Sequence, residues 1–257
     1  MSPVKEIEIP SFDNLTLDPS GPKGNTWGLF GKDNHLGMLN LLTPDVVKRA
    51  AAEEIKDGVR FSLDWKLNAL HKPAFGRQSF EQKIHNKAPR SVNDDVLVFN
   101  TQSSSQWDGF RHFGNQAHKV FYNGTTQETI ESTNILGIDT WVDNGGVVGR
   151  GVLLDIASYA EEHDIIFPPF ESTVIPLNVV KQVAAKEQVS FRPGDILFIR
   201  VGFTKAYENL PVEEGIALGQ RPVSKFVGIE SSEATLRWLW DNQFAALFSC
   251  IHGSRHA

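Results

Sequence analysis

The sequence has almost no cysteine and no long apolar run. Cys250 is the only cysteine among 257 residues, so no disulfide can form within the chain and nothing indicates an oxidising compartment. Residues 1–17 alternate charged, polar and apolar side chains, unlike a signal peptide, and no other stretch approaches the length of a membrane span. These absences predict a soluble, cytoplasmic protein with no membrane partner.

Positive charge is also scarce. The chain has 25 Lys and Arg residues against 31 Asp and Glu residues, which gives a formal net charge of -6. Binding to nucleic acid requires clusters of Lys and Arg that neutralise phosphates, and no such cluster occurs. The glycines at positions 145, 146, 149 and 151 form neither a G-x-G-x-x-G motif nor a P-loop. We therefore expect no nucleic-acid partner and no nucleotide cofactor.

The overall composition is that of an ordinary folded domain. Hydrophobic residues make up 40% of the chain and charged residues 22%. The length suits one large domain covering residues 1–257. Residues 1–42 are rich in Pro, Gly and Asn, which favour turns, so we expect an irregular segment that wraps around the surface.

Strand and helix patterns alternate after this segment. A helix is predicted from Pro44, with Thr43 as its N-cap and Gly58 as its end. Another is predicted over residues 177–187, and Ser231 or Ser232 can cap a final helix. Strands are predicted over residues 59–63, 96–99, 152–155, 196–201 and 244–248. Several connections are too short for helical crossovers, so we predict an α/β fold with a mixed sheet and a few flanking helices.

The segment that carries chemistry is a dense polar run over residues 100–113, directly after an apolar strand. If its backbone stays extended, Gln102, Gln106, Asp108 and His112 project from one face, because strand side chains alternate with period two. Asp108 could then bind a metal and His112 could accept a proton from water. A second interpretation is a solvated loop, with Asp108 capping a turn and His112 bonded to the backbone.

This segment resembles the H-x-G-T-H-x-D-x-P-x-H signature of the cyclase family, which includes bacterial kynurenine formamidases and isatin hydrolase-like enzymes. Gln102 and Gln106 stand at its first two His positions, Asp108 at its Asp and His112 at its last His, while Phe110 replaces its Pro. A fungal and bacterial branch of the family also has Q-S-S-S-Q-W-D-G. Further similarity lies at positions 27–28, 36–40, 151–155 and 194–202.

The resemblance implies a swivelling β/β/α-like domain and a hydrolase that acts on carbon–nitrogen bonds, as arylformamidases do. In the family the two His and the Asp bind a divalent metal, usually zinc or manganese, and the last His is a base near that metal. The implied metal ligands are thus Gln102, Gln106, Asp108 and His112, with Asp108 and His112 catalytic. The expected substrate is a small cyclic or aryl amide, formamide or lactone, and the expected assembly is a homodimer or larger homo-oligomer.

The two glutamines leave three alternatives. A carboxamide oxygen suits manganese, magnesium or calcium but is a poor ligand for zinc. The site therefore holds a harder metal, or it works without a metal as an acid/base pair of Asp108 and His112 in a cyclisation or dehydration. In the latter case Gln102 and Gln106 would bind substrate oxygens. The third alternative is an inactive relative or a small-molecule binding protein.

The chain end differs from the family pattern as well. The resemblance implies a loop and a helix after residue 248, carrying another His and a Glu of the site, so we expect that this family segment is missing. His252 and His256 have a helical four-residue spacing, but Gly253 and the chain end favour fraying. Trp107 and Phe113 remain candidates for an aromatic wall beside a substrate, or for core residues at a strand end.

Overall fold

The computed structural model describes residues 8–249 and has an α/β fold, as predicted. Its strands are β1 (Glu81–Asn86), β2 (Asn93–Val98), β3 (Gly151–Asp155), β4 (Val174–Ile175), β5 (Ile196–Arg200), β6 (Gly228–Ile229) and β7 (Ala246–Ser249). Its helices are α1 (Pro44–Glu54), α2 (Gln127–Ser132), α3 (Asp139–Asp143), α4 (Ile156–Glu162), α5 (Leu177–Lys186), α6 (Phe203–Glu208), α7 (Val212–Gly219) and α8 (Glu233–Asp241). Short 3-10 helices cover Phe12–Asn14, Gly37–Leu41 and Tyr122–Gly124.

The main sheet contains β3, β5 and β7, all parallel, with β5 in the centre. The register pairs Leu154 with Ile199 and Leu197 with Leu247. The antiparallel pairing that the short connections predicted occurs in a separate hairpin of β1 and β2, and β4 pairs with β6 in a third small sheet. The structure thus combines parallel and antiparallel pairing in several small sheets.

The hydrophobic core lies between the parallel sheet and helix α5. Val180 and Val183 of α5 are fully buried against Leu154, Leu197 and Ile199 of the sheet. The apolar side chains of α5 recur at helical spacing, which places them on the face that meets the sheet. All members of this core lie between residues 154 and 244.

A buried ion pair joins the carboxyl ends of β3 and β5. Asp155 is 1% exposed, and Arg200 Nη1 donates to its carboxylate at 2.5 Å. Asp155 also accepts from the backbone N–H and the hydroxyl of Ser158, and in this way it caps α4. Burial acts to raise the pKa of Asp155, but the hydrogen bonds from Ser158 and Arg200 outweigh burial and lower it.

Most of the predicted elements are present. Helix α1 begins after Thr43, whose hydroxyl accepts from the Val46 N–H, although the helix ends at Glu54 rather than near Gly58. Helix α8 begins after Ser232, which accepts from the Thr235 N–H. No helix within residues 8–249 combines the length and the apolar composition needed to cross a membrane.

The strand predicted over residues 59–63 was wrong. These residues form no regular element, and Val59 and Phe61 are 67% and 70% exposed. Apolar and polar residues do alternate here, but no described strand pairs with this segment. A strand is stabilised only when a neighbouring strand satisfies its backbone hydrogen bonds. The hairpin strand β1 lacked a comparable apolar pattern and was not predicted.

Candidate functional site

The polar segment over residues 100–113 bends at residues 101–105 and turns again at residues 110–112, so its backbone does not stay extended. Asn100 causes the first turn, because its side-chain oxygen accepts from the Gln102 N–H at 2.8 Å and its carbonyl accepts from the Ser103 N–H at 2.9 Å. The Ser103 hydroxyl also donates to this carbonyl, at 2.6 Å. A second turn is closed by the His112 N–H and the Gly109 carbonyl, 3.0 Å apart.

Three of the predicted site residues nevertheless meet. Gln102 Nε2 donates to Asp108 Oδ1, and Gln106 Nε2 donates to Gln102 Oε1 at 3.2 Å. We call Gln106, Gln102 and Asp108 the carboxamide chain. Gln106 Oε1 is buried without a hydrogen-bond partner among the described residues. An unpaired buried acceptor is costly, so this oxygen would be stabilised by a donor or a cation that reached it.

The structure does not bring His112 and Phe113 to this group. His112 follows the second turn and is exposed, and no described residue forms a hydrogen bond, an ion pair or a ring contact with its side chain. Phe113 is 75% exposed, so it is not a core residue, and it does not line the three cavities around the carboxamide chain.

Two distant segments hold the first turn in place. The Trp65 N–H donates to the Ser105 hydroxyl at 2.9 Å, and the Ser104 hydroxyl donates to the Trp65 carbonyl at 3.0 Å. Arg77 Nη1 donates to the Gln102 carbonyl at 3.2 Å. Neither Trp65 nor Arg77 was predicted as a site residue, because no motif or spacing relates them to residue 102. Asn100 could have been recognised as the start of an Asx turn, which the apolar strand before it obscured.

Trp107 connects the carboxamide chain to the parallel sheet. Its ring packs edge-on against Phe248 of β7, with centroids 4.9 Å apart, and against Trp141 of α3, at 6.2 Å. On the other side of Asp108, Phe110 stacks on Tyr122 with centroids 4.4 Å apart. Burial raises the pKa of Tyr122. Asp108 thus lies between two anchored aromatic residues while its own side chain stays exposed to solvent.

Three cavities surround the carboxamide chain. The largest, about 650 Å³, has Gln106, Trp107 and Asp108 in its wall. Its other walls are mainly apolar and come from residues 36–39, from α8 and from β7. A cavity of about 260 Å³ includes Gln106, and one of about 170 Å³ includes Gln102. Pockets with apolar walls and a few converging polar groups are typical of small-molecule sites.

The donor atoms decide which metal this site can hold. Within residues 8–249 no group of three His, Cys, Asp or Glu side chains could hold a metal ion. The oxygens left in this wall are those of Asp108 and Gln106, because Gln102 Oε1 already accepts from Gln106. This set does not fit zinc, which prefers imidazole and thiolate, but it fits a hydrated, oxygen-preferring cation. Cys250, His252 and His256 lie outside the described residues.

Comparison with known proteins agrees with this architecture. The family model described as "Putative cyclase" matches residues 38–249. A crystal structure described as that of a novel cyclase is similar to this chain, with 26% sequence identity and a TM-score of 0.75. The similarity covers 88% of this chain and 76% of the other. The search of curated proteins found no match.

Proposed function

The chain belongs to the cyclase family, and from this premise we propose that it is a hydrolase that opens a small cyclic or aryl amide, formamide or lactone. The observation that carries the proposal is the carboxamide chain, which ends on Asp108 in the wall of the 650 Å³ cavity. Amide and ester bonds are opened by attack of water on a carbonyl carbon, and this attack needs a proton acceptor beside the substrate. Asp108 is the carboxylate available in this wall.

In the proposed hydrolysis, each residue of the site has a separate role. Asp108 accepts the proton that the attacking water loses. Gln102 orients the Asp108 carboxylate through its Nε2 hydrogen bond. His112 would act as a second proton acceptor only if its exposed side chain turned towards the substrate from the turn that begins at Gly109. Trp107 provides an apolar wall that excludes competing water.

Asp108 and the unpaired Gln106 Oε1 would hold a divalent cation, and their oxygens favour manganese over zinc. Such a cation supplies Lewis-acid polarisation of the substrate carbonyl and lowers the pKa of water. Gln102 Oε1 and His112 would join them only if both side chains turned towards the site.

The first test is elemental analysis of the full chain purified without added metal or affinity tag. We expect stoichiometric manganese that disappears in Asp108→Ala and persists in Asp57→Ala, which removes another exposed carboxylate. Hydrolysis of simple aryl formamides and lactones should disappear in the same variant. Manganese retained by Asp108→Ala, or hydrolysis that this variant leaves intact, would contradict the assignment.

A matched gain-of-function variant tests the donor chemistry. Gln102→His with Gln106→His restores imidazoles at both positions, so zinc binding should rise strongly because neutral imidazole is a preferred zinc ligand. The measurement is the zinc dissociation constant by competition with a chromophoric chelator. Unchanged zinc affinity would show that the two positions do not face a metal.

A second candidate is a metal-independent cyclase or dehydratase. The direction of the amide hydrogen bonds favours this candidate. Gln106 Nε2 donates to Gln102, and Gln102 Nε2 donates to the Asp108 carboxylate, so both amides support Asp108 as an acid/base group. Activity that survives exhaustive chelation but not Asp108→Ala would select this candidate. Absence of both metal and turnover would instead indicate an inactive relative or a binding protein.

A further inference from the structure

The cavity of about 170 Å³ beside Gln102 has an unusual combination of basic and aromatic walls. Four cationic side chains line it, from Lys72, Arg77, Arg221 and Lys225. Its aromatic residues are Phe75, Phe170, Phe203, Tyr207 and Phe226. It shares Leu70, Phe203 and Phe226 with the 260 Å³ cavity that includes Gln106, so these three residues form the wall between the two cavities.

The four cations are not equally neutralised. Arg221 and Lys225 both lie near Glu171, with nitrogen–oxygen distances of 3.6 and 3.1 Å. Lys72 and Arg77 are half-buried, and no described carboxylate lies within ion-pair distance of either. In a protein with a net charge of -6, two cations without a carboxylate partner in the lining of one cavity make a local site for an anion.

Contacts hold the guanidinium of Arg77 and the backbone next to Lys72. Arg77 Nη1 donates to the Gln102 carbonyl, and its guanidinium carbon lies 4.8 Å from the centroid of the Phe75 ring. The other N–H groups of Arg77 have no described partner and remain for an external acceptor. The segment before Lys72 is fixed because the Tyr207 hydroxyl accepts from the His71 N–H at 3.0 Å.

The aromatic residues of this cavity pack against one another, and the cavity has room for one aromatic ring. Phe203 contacts Phe170, Tyr207 and Phe226, with centroid distances of 5.4, 6.0 and 5.9 Å. Phe75 contacts Phe226 at 6.3 Å. A dry cavity of about 150 Å³ is large enough for benzene, so about 170 Å³ accommodates one ring with a small substituent.

We propose that this cavity is a carboxylate subsite, in which Lys72 and Arg77 bind the carboxylate of a substrate whose ring lies against Phe203 and Phe226. The inference rests on the proposed function, because it places the reacting carbonyl on the Gln102 side of the cavity. It makes Lys72 and Arg77 residues that determine specificity for anionic substrates over neutral ones.

The test compares two probes of nearly equal shape, phenylacetate and phenylacetamide, by calorimetric titration of the full chain at low ionic strength. Phenylacetate should bind about tenfold more tightly or better, as charge-assisted hydrogen bonds allow. In Lys72→Gln with Arg77→Gln this ratio should fall to about one, while the affinity for phenylacetamide stays the same. A wild-type ratio near one, or a ratio that the double variant leaves unchanged, would overturn the subsite.

Two variants separate charge from damage to the fold. Arg77→Lys keeps the positive charge and should retain most of the preference for phenylacetate. Lys181→Gln removes an exposed cation on α5, away from the cavity lining, so it should keep the wild-type ratio. If Lys181→Gln lowered the ratio as much as the double variant, net charge and not this cavity would explain the preference.

Measuring binding and hydrolysis separately on the wild type makes the two proposals independently falsifiable. Retained preference for phenylacetate without any hydrolysis by the wild type would support the subsite and contradict the proposed function. Hydrolysis without a preference for carboxylates would do the reverse.

Discussion

The parallel sheet and the site segment are each stabilised by a different kind of contact. In the sheet, Leu154, Leu197 and Ile199 are buried with almost no exposed surface, and each strand is paired along its length. In the segment over residues 100–113, hydrogen bonds between side chains and the backbone close the first turn, and Asp108 remains exposed. Because of this difference, we expect substitutions in the sheet to alter stability and substitutions in the site segment to alter binding and chemistry.

The largest effect on stability is expected from breaking the buried ion pair at the edge of the sheet. Arg200→Met removes the guanidinium that pairs with the buried carboxylate of Asp155, and removing one partner of a buried pair costs about 3–5 kcal/mol. Urea denaturation at pH 7 measures this loss. Lys205→Met, which breaks the exposed pair with Glu161, is the control and should change the free energy of unfolding by roughly 0–1 kcal/mol.

The same pair predicts a pH dependence. The pKa of Asp155 is held below its ordinary value of 3.8, so its contribution to stability is complete above the unfolded-state pKa and is lost as the pH falls through the lower, folded-state pKa. The difference between wild type and Arg200→Met should therefore shrink as the pH is lowered below about 4. A difference that stays constant between pH 7 and pH 2 would contradict the role of this carboxylate.

The next effect compares two neighbouring leucines of β3. Leu154 is 0% exposed and Leu153 is 40% exposed, because successive strand residues face opposite sides of the sheet. Leu154→Ala should cost about 2–5 kcal/mol of unfolding free energy, and Leu153→Ala less than about 1.5 kcal/mol. Equal losses in chemical denaturation would mean that both faces of the sheet are covered.

A smaller effect separates the two aromatic candidates of the site segment. Trp107 contacts Phe248 and Trp141, so Trp107→Leu should cost about 1–3 kcal/mol through two lost ring contacts. Phe113 is exposed, and Phe113→Leu should stay within about 0.5 kcal/mol of wild type. Thermal unfolding of both variants checks the prediction. A loss in Phe113→Leu as large as that in Trp107→Leu would contradict it.

The smallest effect on stability is expected at Asp108, where the largest effect on activity is also expected. The side chain is exposed, so water can replace its hydrogen bond with Gln102, and Asp108→Ala should shift the unfolding free energy by less than about 0.5 kcal/mol. A loss of activity with an unchanged midpoint of unfolding would confirm that the segment serves function. A large drop in the midpoint would make Asp108 a structural residue.

The elements that local patterns predicted well are those with strong local causes. Thr43 and Ser232 cap their helices as their hydroxyls and spacing predicted, and β3 and β5 are apolar runs that a parallel sheet requires. The strand predicted over residues 59–63 failed because pairing depends on a neighbour that no local pattern supplies. The wrap predicted for the start of the chain meets α8, where Trp240 Nε1 donates to the Pro10 carbonyl at 2.8 Å.

In the candidate site, too, some features follow from local sequence and others depend on packing between distant segments. The sequence alone determined the family, the α/β class and the grouping of Gln102, Gln106 and Asp108, because short spacing within one segment keeps these side chains near each other whether the backbone is extended or turned. Only the tertiary structure decided that His112 and Phe113 lie apart from this group. It also decided that Trp65 and Arg77 support it and that Lys72 joins Arg77 in one cavity, because contacts between distant segments depend on how the elements pack.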